Sequence, residues 1–500
     1  MELSKISKNG LIKLLEEIKD QVNPQVLSTA YNKISQEYQL EGPSPNKRPM
    51  EVSTDMTPEN SGKKVKKNRP FDFSRYHQRH VAFHVLYDGS SYQGFADQQV
   101  TEENKNSNYI ERELFKAFQK VKLIEDRNTC NYSRSGRTDA GVSAFGQVIS
   151  INVRSNLRSN VEFVDDNQEN ETNPQSTDNS RGNIDIQKKN QDIIQTLEEL
   201  DYPCILNKVL PADIRIDGWC PVPREFDARF SCKSRVYRYF FIKRNLDIEK
   251  MNDGCQYFIG EHDFRNVCKI DIINVHHFIR TILLAHIITI REDPLYPEES
   301  VMAFEIEGRG FLWHQVRCMV ALLFHVGAGK EEPELIESLL DIQKHPEKPH
   351  YMMADPSPLC LFECKYDLKE CNFENTLSEK ARLDLLLHYE NRWATSALNH
   401  IRLEDPLKRL IQQTKTLYPG PPAFYTPPID YKYIFRNHQP ILSRKTEISY
   451  EDKIRNLTGA SLEKLEKQIN KKPLSSQQIL PDILKEKLNI SPRNCDEDDE

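Results

Sequence analysis

Apolar residues recur along this chain with two periods, and the switches between them mark out its elements. Leu11, Leu14, Leu15, Ile18 and Val22 share one face at helical spacing, so residues 1–40 read as an N-terminal helical segment. Val81 to Tyr87 is β-branched and aromatic and ends in Asp88-Gly89-Ser90-Ser91, which predicts a strand closed by a turn. Ile110, Leu114, Phe118 and Val121 give helical spacing over 109–123. Ile149, Ile151 and Val153 alternate with Ser150 and Asn152, a strand over 145–153. Arg235 to Ile242 is the clearest alternation in the chain. A further strand is expected at 301–306. A helix is expected from Trp313 to Val326, with Val316, Met319, Val320, Leu323 and Phe324 on one face and a stop at Gly327 and Gly329.

Between these elements the pattern fails in three places. Residues 41–79 are rich in Pro, Ser and Lys without periodicity and read as a basic disordered linker. From about 155 to 190 the chain is Asn-, Ser-, Asp- and Gln-rich, too polar to support a core, and reads as a disordered insertion. Residues 371–500 form a charged, weakly patterned extension, expected to be partly helical and to end in a loose acidic tail, Asp496-Glu497-Asp498-Asp499-Glu500. Strands mixed with separated helices make the body, from about residue 80 to 370, α+β. Its halves are placed at 80–230 and 231–370.

The 500 residues are 38% hydrophobic and 29% charged, enough for a sizeable core plus polar appendages. A net charge of -7 argues against a nucleic-acid partner only if it is evenly spread. It is not. Acidic residues crowd the C-terminus and the insertion around Glu162 to Glu171, whereas Lys63 to Arg158 carries more Lys and Arg than Asp and Glu. Lys47-Arg48 and Lys63-Lys64-Val65-Lys66-Lys67-Asn68-Arg69 have the composition of an import signal or an RNA-contacting arm, so nucleus and/or cytoplasm is the expected location. The eleven cysteines include no CxxC pair, and no zinc or other metal site is expected. No secretory leader is evident, and no apolar run approaches the roughly 20 residues of a membrane helix. Reduced thiols and no membrane association are expected.

Three stretches carry candidate chemistry. In Ser133-Arg134-Ser135-Gly136-Arg137-Thr138-Asp139-Ala140-Gly141-Val142, a carboxylate lies in a glycine-bracketed turn before a strand, where it can be rigid and exposed. Arg137 is expected to keep Asp139 ionised, as a nucleophile or base requires. For an arbitrary Gly-x-x-Asp, a capping aspartate in a structural turn is the commoner explanation. In Arg235-Val236-Tyr237-Arg238-Tyr239, aromatic residues interleave with arginines, a pattern suited to stacking on unpaired bases and meeting phosphates. A Tyr stripe alone is more often core. In Phe311-Leu312-Trp313-His314-Gln315-Val316-Arg317, an arginine near the start of an apolar helix needs a partner, or it snorkels to solvent. His314 invites assignment as a general base, although a core or RNA-contacting histidine is the commoner case.

Together these strings resemble the TruA family of tRNA pseudouridine synthases, whose motif is Gly-Arg-Thr-Asp-x-Gly-Val followed by Gly-Gln-Val. The resemblance spans roughly residues 80 to 366 and includes Phe258-Ile259-Gly260-Glu261-His262-Asp263-Phe264. Leu206-Asn207-Lys208-Val209-Leu210-Pro211, Gly218-Trp219-Cys220-Pro221 and Ser143, where bacterial members usually have His, look most like the eukaryotic enzymes acting on uridines 38 and 39 of the anticodon stem-loop. The resemblance implies that Asp139 is the catalytic nucleophile, that Tyr237 stacks on the target uracil, and that Arg317 pairs with and orients Asp139. Arg137 and Arg235 are expected to bind substrate. It also implies two ferredoxin-like halves, a mostly antiparallel sheet with a central cleft, a tRNA substrate, usually a homodimer, and no cofactor. The competing reading is a non-catalytic tRNA-binding protein or chaperone, which would have lost Asp139, Tyr237 or Arg317. A metal-dependent aspartate hydrolase would need an acidic cluster that Thr138-Asp139-Ala140 does not supply.

Overall fold

The computed structural model describes residues 71–97, 107–157, 199–294, 297–417, 438–470 and 480–488. The predicted N-terminal helix, most of the linker, nearly all of the insertion and the acidic tail lie outside the described residues.

The first half contributes strands β1 (His77–Tyr87), β2 (Ser133–Arg134), β3 (Ser143–Ser155) and β4 (Ile214–Pro221), with helices α1 (Ile110–Lys120) and α2 (Tyr202–Asn207). The second contributes β5 (Ser234–Ile242), β6 (Gly260–Asp263), β7 (Ile279–Arg291), β8 (Val301–Gly308) and β9 (Leu359–Lys365). Its helices are α3 (Ile248–Phe258), α4 (Gln315–Gly327) and α5 (Glu334–Leu340). All nine strands form one sheet in the order β4-β1-β3-β9-β5-β8-β7-β6, with β2 beside β3. In each half the first strand (β1, β5) lies between the last (β4, β9) and a middle one (β3, β8), so one arrangement is used twice. Every pairing is antiparallel except a short parallel contact between β3 and β9, Ser143 with Cys360 and Ala144 with Leu361. That contact is the seam between the halves. The α+β class and the mostly antiparallel sheet agree with expectation.

β1 begins at His77, three residues before the start expected for the body, because His77 to Arg79 already pair with Ser155 to Val153. Flanked on both sides, β1 is buried from His80 to Phe83 on both faces, which is why its sequence reads as a continuous apolar run. α1 packs its Leu114 and Phe118 face on β1, with the Phe83 and Phe118 rings 5.4 Å apart. α4 departs from the amphipathic expectation, since every residue in it except Arg317 is buried. Tyr239 and Phe241 of β5 meet Phe324 on one side. Cys255, Ile336 and Leu339 extend the same core. One charged residue on an otherwise buried helix is placed by its surroundings.

The C-terminal extension adds α6 (Glu379–Leu417), α7 (Tyr450–Arg455), α8 (Gly459–Asn470) and α9 (Asp482–Lys487). Ile441, Tyr450, Ile454, Leu465, Ile469 and Leu484 belong to the core of the second half. Helices were expected here, but not their place in the core, because α7 to α9 are short and each supplies only one or two buried side chains. Among the described residues, no helix is long and apolar enough to cross a membrane.

Candidate active site

The Asp139 loop enters the sheet at the seam, between β2 and β3. Its backbone is fixed from both ends. Ser135 N–H donates to Val148 O at 2.8 Å. The buried Gln147 side chain clasps Gly136, donating to its carbonyl at 3.1 Å and accepting from its N–H at 3.3 Å. The Thr138 hydroxyl meets the Tyr87 hydroxyl at 2.7 Å, and Phe95 N–H donates to Thr138 O at 3.1 Å. Gly141 N–H reaches Tyr92 O, and Val142 N–H returns to Asp139 O. Ser143 accepts from Gly89 N–H at 3.0 Å.

A second loop, Asp88 to Phe95, is therefore the cradle of the first, and two glycines make the approach feasible. A Cβ on Gly89 would stand 2.0 Å from Val142 O. Gly94, at φ +106, would put one 2.9 Å from Thr138 O. Gly141 is left-handed as expected (φ +80), but Gly136 is not, and a Cβ there would meet open space. Gly146 answers a third constraint, since its Cβ would fall 2.4 Å from Phe362 O where β3 and β9 touch.

Asp139 is mostly buried, its side chain 24% exposed. Burial raises its carboxyl above the usual carboxylate range, against the opposing charge of Arg317, a hydrogen bond from Trp313 and the charge of Lys269. The expectation that Arg137 keeps Asp139 ionised is corrected on two counts. The net direction is upward, and the cations acting on Asp139 come from other segments. Arg137 projects outward; burial and the nearby cations Arg134 and Arg229 lower its pKa.

Arg317 supplies charge without contact. Its Nε–H donates to Ala354 O at 2.8 Å, and among the described residues it makes no ion pair with Asp139. The ionisable side chain that touches the carboxylate is His314, with Nε2 3.5 Å from Oδ2. Burial, Arg317, Lys269 and Lys348 lower the His314 pKa to about 4, so the imidazole is neutral near pH 7. Lys269 Nζ lies over the Trp313 ring at 4.3 Å, and the Lys269 backbone N–H donates to Trp313 O at 2.9 Å.

Tyr237, on β5 where that strand bulges against β9, sets its ring edge-on to Phe311 at 5.1 Å. Burial raises its hydroxyl pKa, and the negative charge of Asp139 adds to the rise, so the phenol and the carboxylate share one environment. Arg235, expected to bind substrate, is engaged by the protein's own backbone. Its guanidinium donates to Ser135 O (2.9 Å), Arg229 O (2.8 Å) and Arg309 O (2.9 Å). That one side chain ties the Asp139 loop to the 225–233 turn and to the loop after β8. Each tied segment presents an exposed arginine: Arg137, Arg229 and Arg309. Phe230, 80% exposed, stands beside Arg229, whose guanidinium lies 5.4 Å from its ring.

Sequence reasoning thus brings Asp139, Tyr237 and Arg317 to one place, and it misses the direct contacts. Trp313, Lys269, Gly89, Gly94 and Tyr87 went unassigned, and His314 was set aside. Only the dense Tyr87-Asp88-Gly89-Ser90-Ser91-Tyr92-Gln93-Gly94 string hinted at a second structured loop. Among the described residues no cluster of His, Cys, Asp and Glu could hold a metal ion.

A largely buried carboxylate, a phenol ring and cations thus share one environment at the seam. Comparison with known proteins gives the chain's family. Residues 255–367 match the tRNA pseudouridine synthase family. A tRNA pseudouridine(38/39) synthase of Bos taurus is 40% identical over 396 residues, 78% of this chain and 75% of that protein. The Saccharomyces cerevisiae protein of the same name is 40% identical over 338 residues, 66% of this chain and 68% of its own length. A tRNA pseudouridine synthase A of Methanosphaera stadtmanae is 31% identical over 332 residues, 64% of this chain and 97% of its length. The chain belongs to the tRNA pseudouridine synthase family, a group of isomerases.

Proposed function

We propose that this chain converts uridine to pseudouridine at positions 38 and 39 of the tRNA anticodon stem-loop, as the names of its eukaryotic relatives describe for them. The observation that carries the reading is the convergence of Asp139, Tyr237 and the Arg317 charge at the seam between the halves. The reaction detaches uracil from C1′, rotates it and rejoins it through C5, with no net change of oxidation state, so no redox partner enters. The target uridine leaves the helix, at a cost of about a few kcal/mol in stacking and pairing. Tyr237 offsets part of that cost by stacking on the base. Asp139 is the nucleophile, and the Arg317 charge stabilises its ionised form. Arg137, exposed on the same loop, meets the RNA backbone, while Arg235 holds that loop in place.

We further propose a homodimer, for which an exposed apolar row on α6 speaks: Leu386, Trp393 and Ile401 recur every seven or eight residues. Nuclear and/or cytoplasmic residence is proposed from the basic clusters at 47–48 and 63–69. Mapping pseudouridine at single-nucleotide resolution, in unmodified tRNA treated with the purified protein, tests the substrate assignment. Modification confined to 38 and 39 is expected. Modification elsewhere, with those positions untouched, contradicts the positional claim.

A further inference from the structure

His314 occupies a backbone position whose structural demands do not call for an imidazole. Its φ of 59° and ψ of 12° are left-handed, and it is the N-cap of α4 without making a side-chain cap hydrogen bond. Glycine tolerates that conformation without a Cβ penalty, and asparagine tolerates it and also caps. A histidine there serves neither demand best. Its ring is instead turned to Asp139, with Nε2 3.5 Å from Oδ2 and only 12% of the side chain exposed. On its other side Nδ1 is buried without a partner.

That environment decides where the proton sits. The charged groups facing the ring are the Asp139 carboxylate and the cations Arg317, Lys269 and Lys348, and the cations, with burial, keep it neutral near pH 7. A neutral imidazole has one N–H. On Nδ1 it would be a buried donor with no acceptor, and Nε2 would aim a lone pair at a carboxylate. On Nε2 it lies on the carboxylate side of the ring, where Oδ2 is 3.5 Å away and just outside hydrogen-bond geometry, so this tautomer is favoured.

We propose that His314 is a positioning residue for the isomerisation: its Nε2–H, 3.5 Å from Oδ2, closes on that oxygen in the substrate complex and turns the carboxylate toward the sugar. A neutral donor orients the carboxylate without the full charge of a contacting cation, which would draw down its basicity as well as its freedom. Arg317, acting from beyond contact, balances charge without competing for the oxygen. When the carboxylate is consumed in the first half of the reaction, the same N–H favours its return as an anion in the second. This inference rests on the reading of Asp139 as the nucleophile.

The test uses full-length His314→Gly, His314→Gln and Asp139→Asn, with melting temperature, tRNA affinity and single-turnover rate against pH as readouts. His314→Gly is expected to keep or raise the melting temperature and to leave Kd within about twofold. Its rate should fall about 10- to 100-fold, the cost of a misplaced reacting group. Its acid limb should move to higher pH, because the donor that favoured the ionised carboxylate is gone. His314→Gln, which restores an N–H at similar reach, should recover part of that rate. A His314→Gly enzyme with the native rate and native acid limb overturns the proposal. So does a rate loss that merely follows a loss of stability or of tRNA affinity. Turnover by Asp139→Asn would sink the underlying reading, whereas an inert Asp139→Asn beside a fully active His314→Gly sinks the His314 role alone.

Discussion

Asp139 is held at the seam with its proton affinity raised, and this has consequences for both rate and stability. The nucleophile must be ionised, so activity should fall as pH drops through a value above the ordinary 3.8 of aspartate. For stability the sign is opposite to that of a salt-bridged carboxylate. The folded state keeps the proton over a range where the unfolded chain has lost it, so the fold is penalised once pH rises through the raised value. Asp139→Asn should therefore melt at or above the native temperature at pH 7 and lose that advantage below pH 3.8. Thermal melts at both pH values check this. The residue scale also shows what a sequence hides. Asp139, Tyr237 and Arg317 were legible because each sits in a motif, but contact was not. Arg317 was expected against the carboxylate, and His314, three residues earlier, has that place because the turn into α4 points it there.

At the scale of elements, the site is two loops braced against each other and one guanidinium stitching three segments. Gly89→Ala should be severe, since its Cβ would lie 2.0 Å from a backbone oxygen that cannot move without carrying the catalytic loop with it. Gly94→Ala combines a left-handed conformation, worth about 1–2 kcal/mol, with a 2.9 Å approach to Thr138 O. Gly136→Ala, with open space around it, should be nearly neutral in both stability and turnover. Chemical denaturation with a parallel activity assay separates the three. A sequence motif marks all of its glycines alike; geometry distinguishes them. Arg235→Lys keeps the charge but loses the fork that reaches Ser135, Arg229 and Arg309 together. It should reduce turnover while leaving much of the tRNA affinity, the reverse of what a phosphate contact predicts.

The strands β1, β3, β5 and β8 were readable from alternation or apolar runs, as was the helical period of α1. The whole-molecule plan came from the family resemblance and not from periodicity, because pairing β3 with β9 joins residues more than 200 positions apart and leaves no local trace. That part of the C-terminal extension packs into the core was unreadable for a similar reason. Its short helices each offer one or two apolar residues, too few for a periodic signal, yet Ile454, Leu465 and Leu484 are fully buried in the second half. Ile454→Ala should cost about 2–5 kcal/mol, as for any large core side chain, where a loose tail would lose nothing. Urea unfolding measures the difference. α6 touches the first half instead, through Arg392 with Asp88 and Asp213. Asp88 directly precedes Gly89, so the extension reaches the loop that supports the site. These pairs are partly exposed and worth at most about 1 kcal/mol each. If α6 also joins two copies, Trp393→Glu should shift the molecular mass measured by light scattering toward the monomer without unfolding the chain.

The central claim is that one carboxylate, at Asp139, performs the isomerisation. Its most direct test is tritium release from tRNA labelled at C5 of uridine, comparing the native protein with Asp139→Asn at matched tRNA occupancy. Release should fall by at least about 10²- to 10⁴-fold, the loss expected when a group acting in the chemical step is removed, while tRNA affinity is retained. Release at the native rate from the variant would contradict the account.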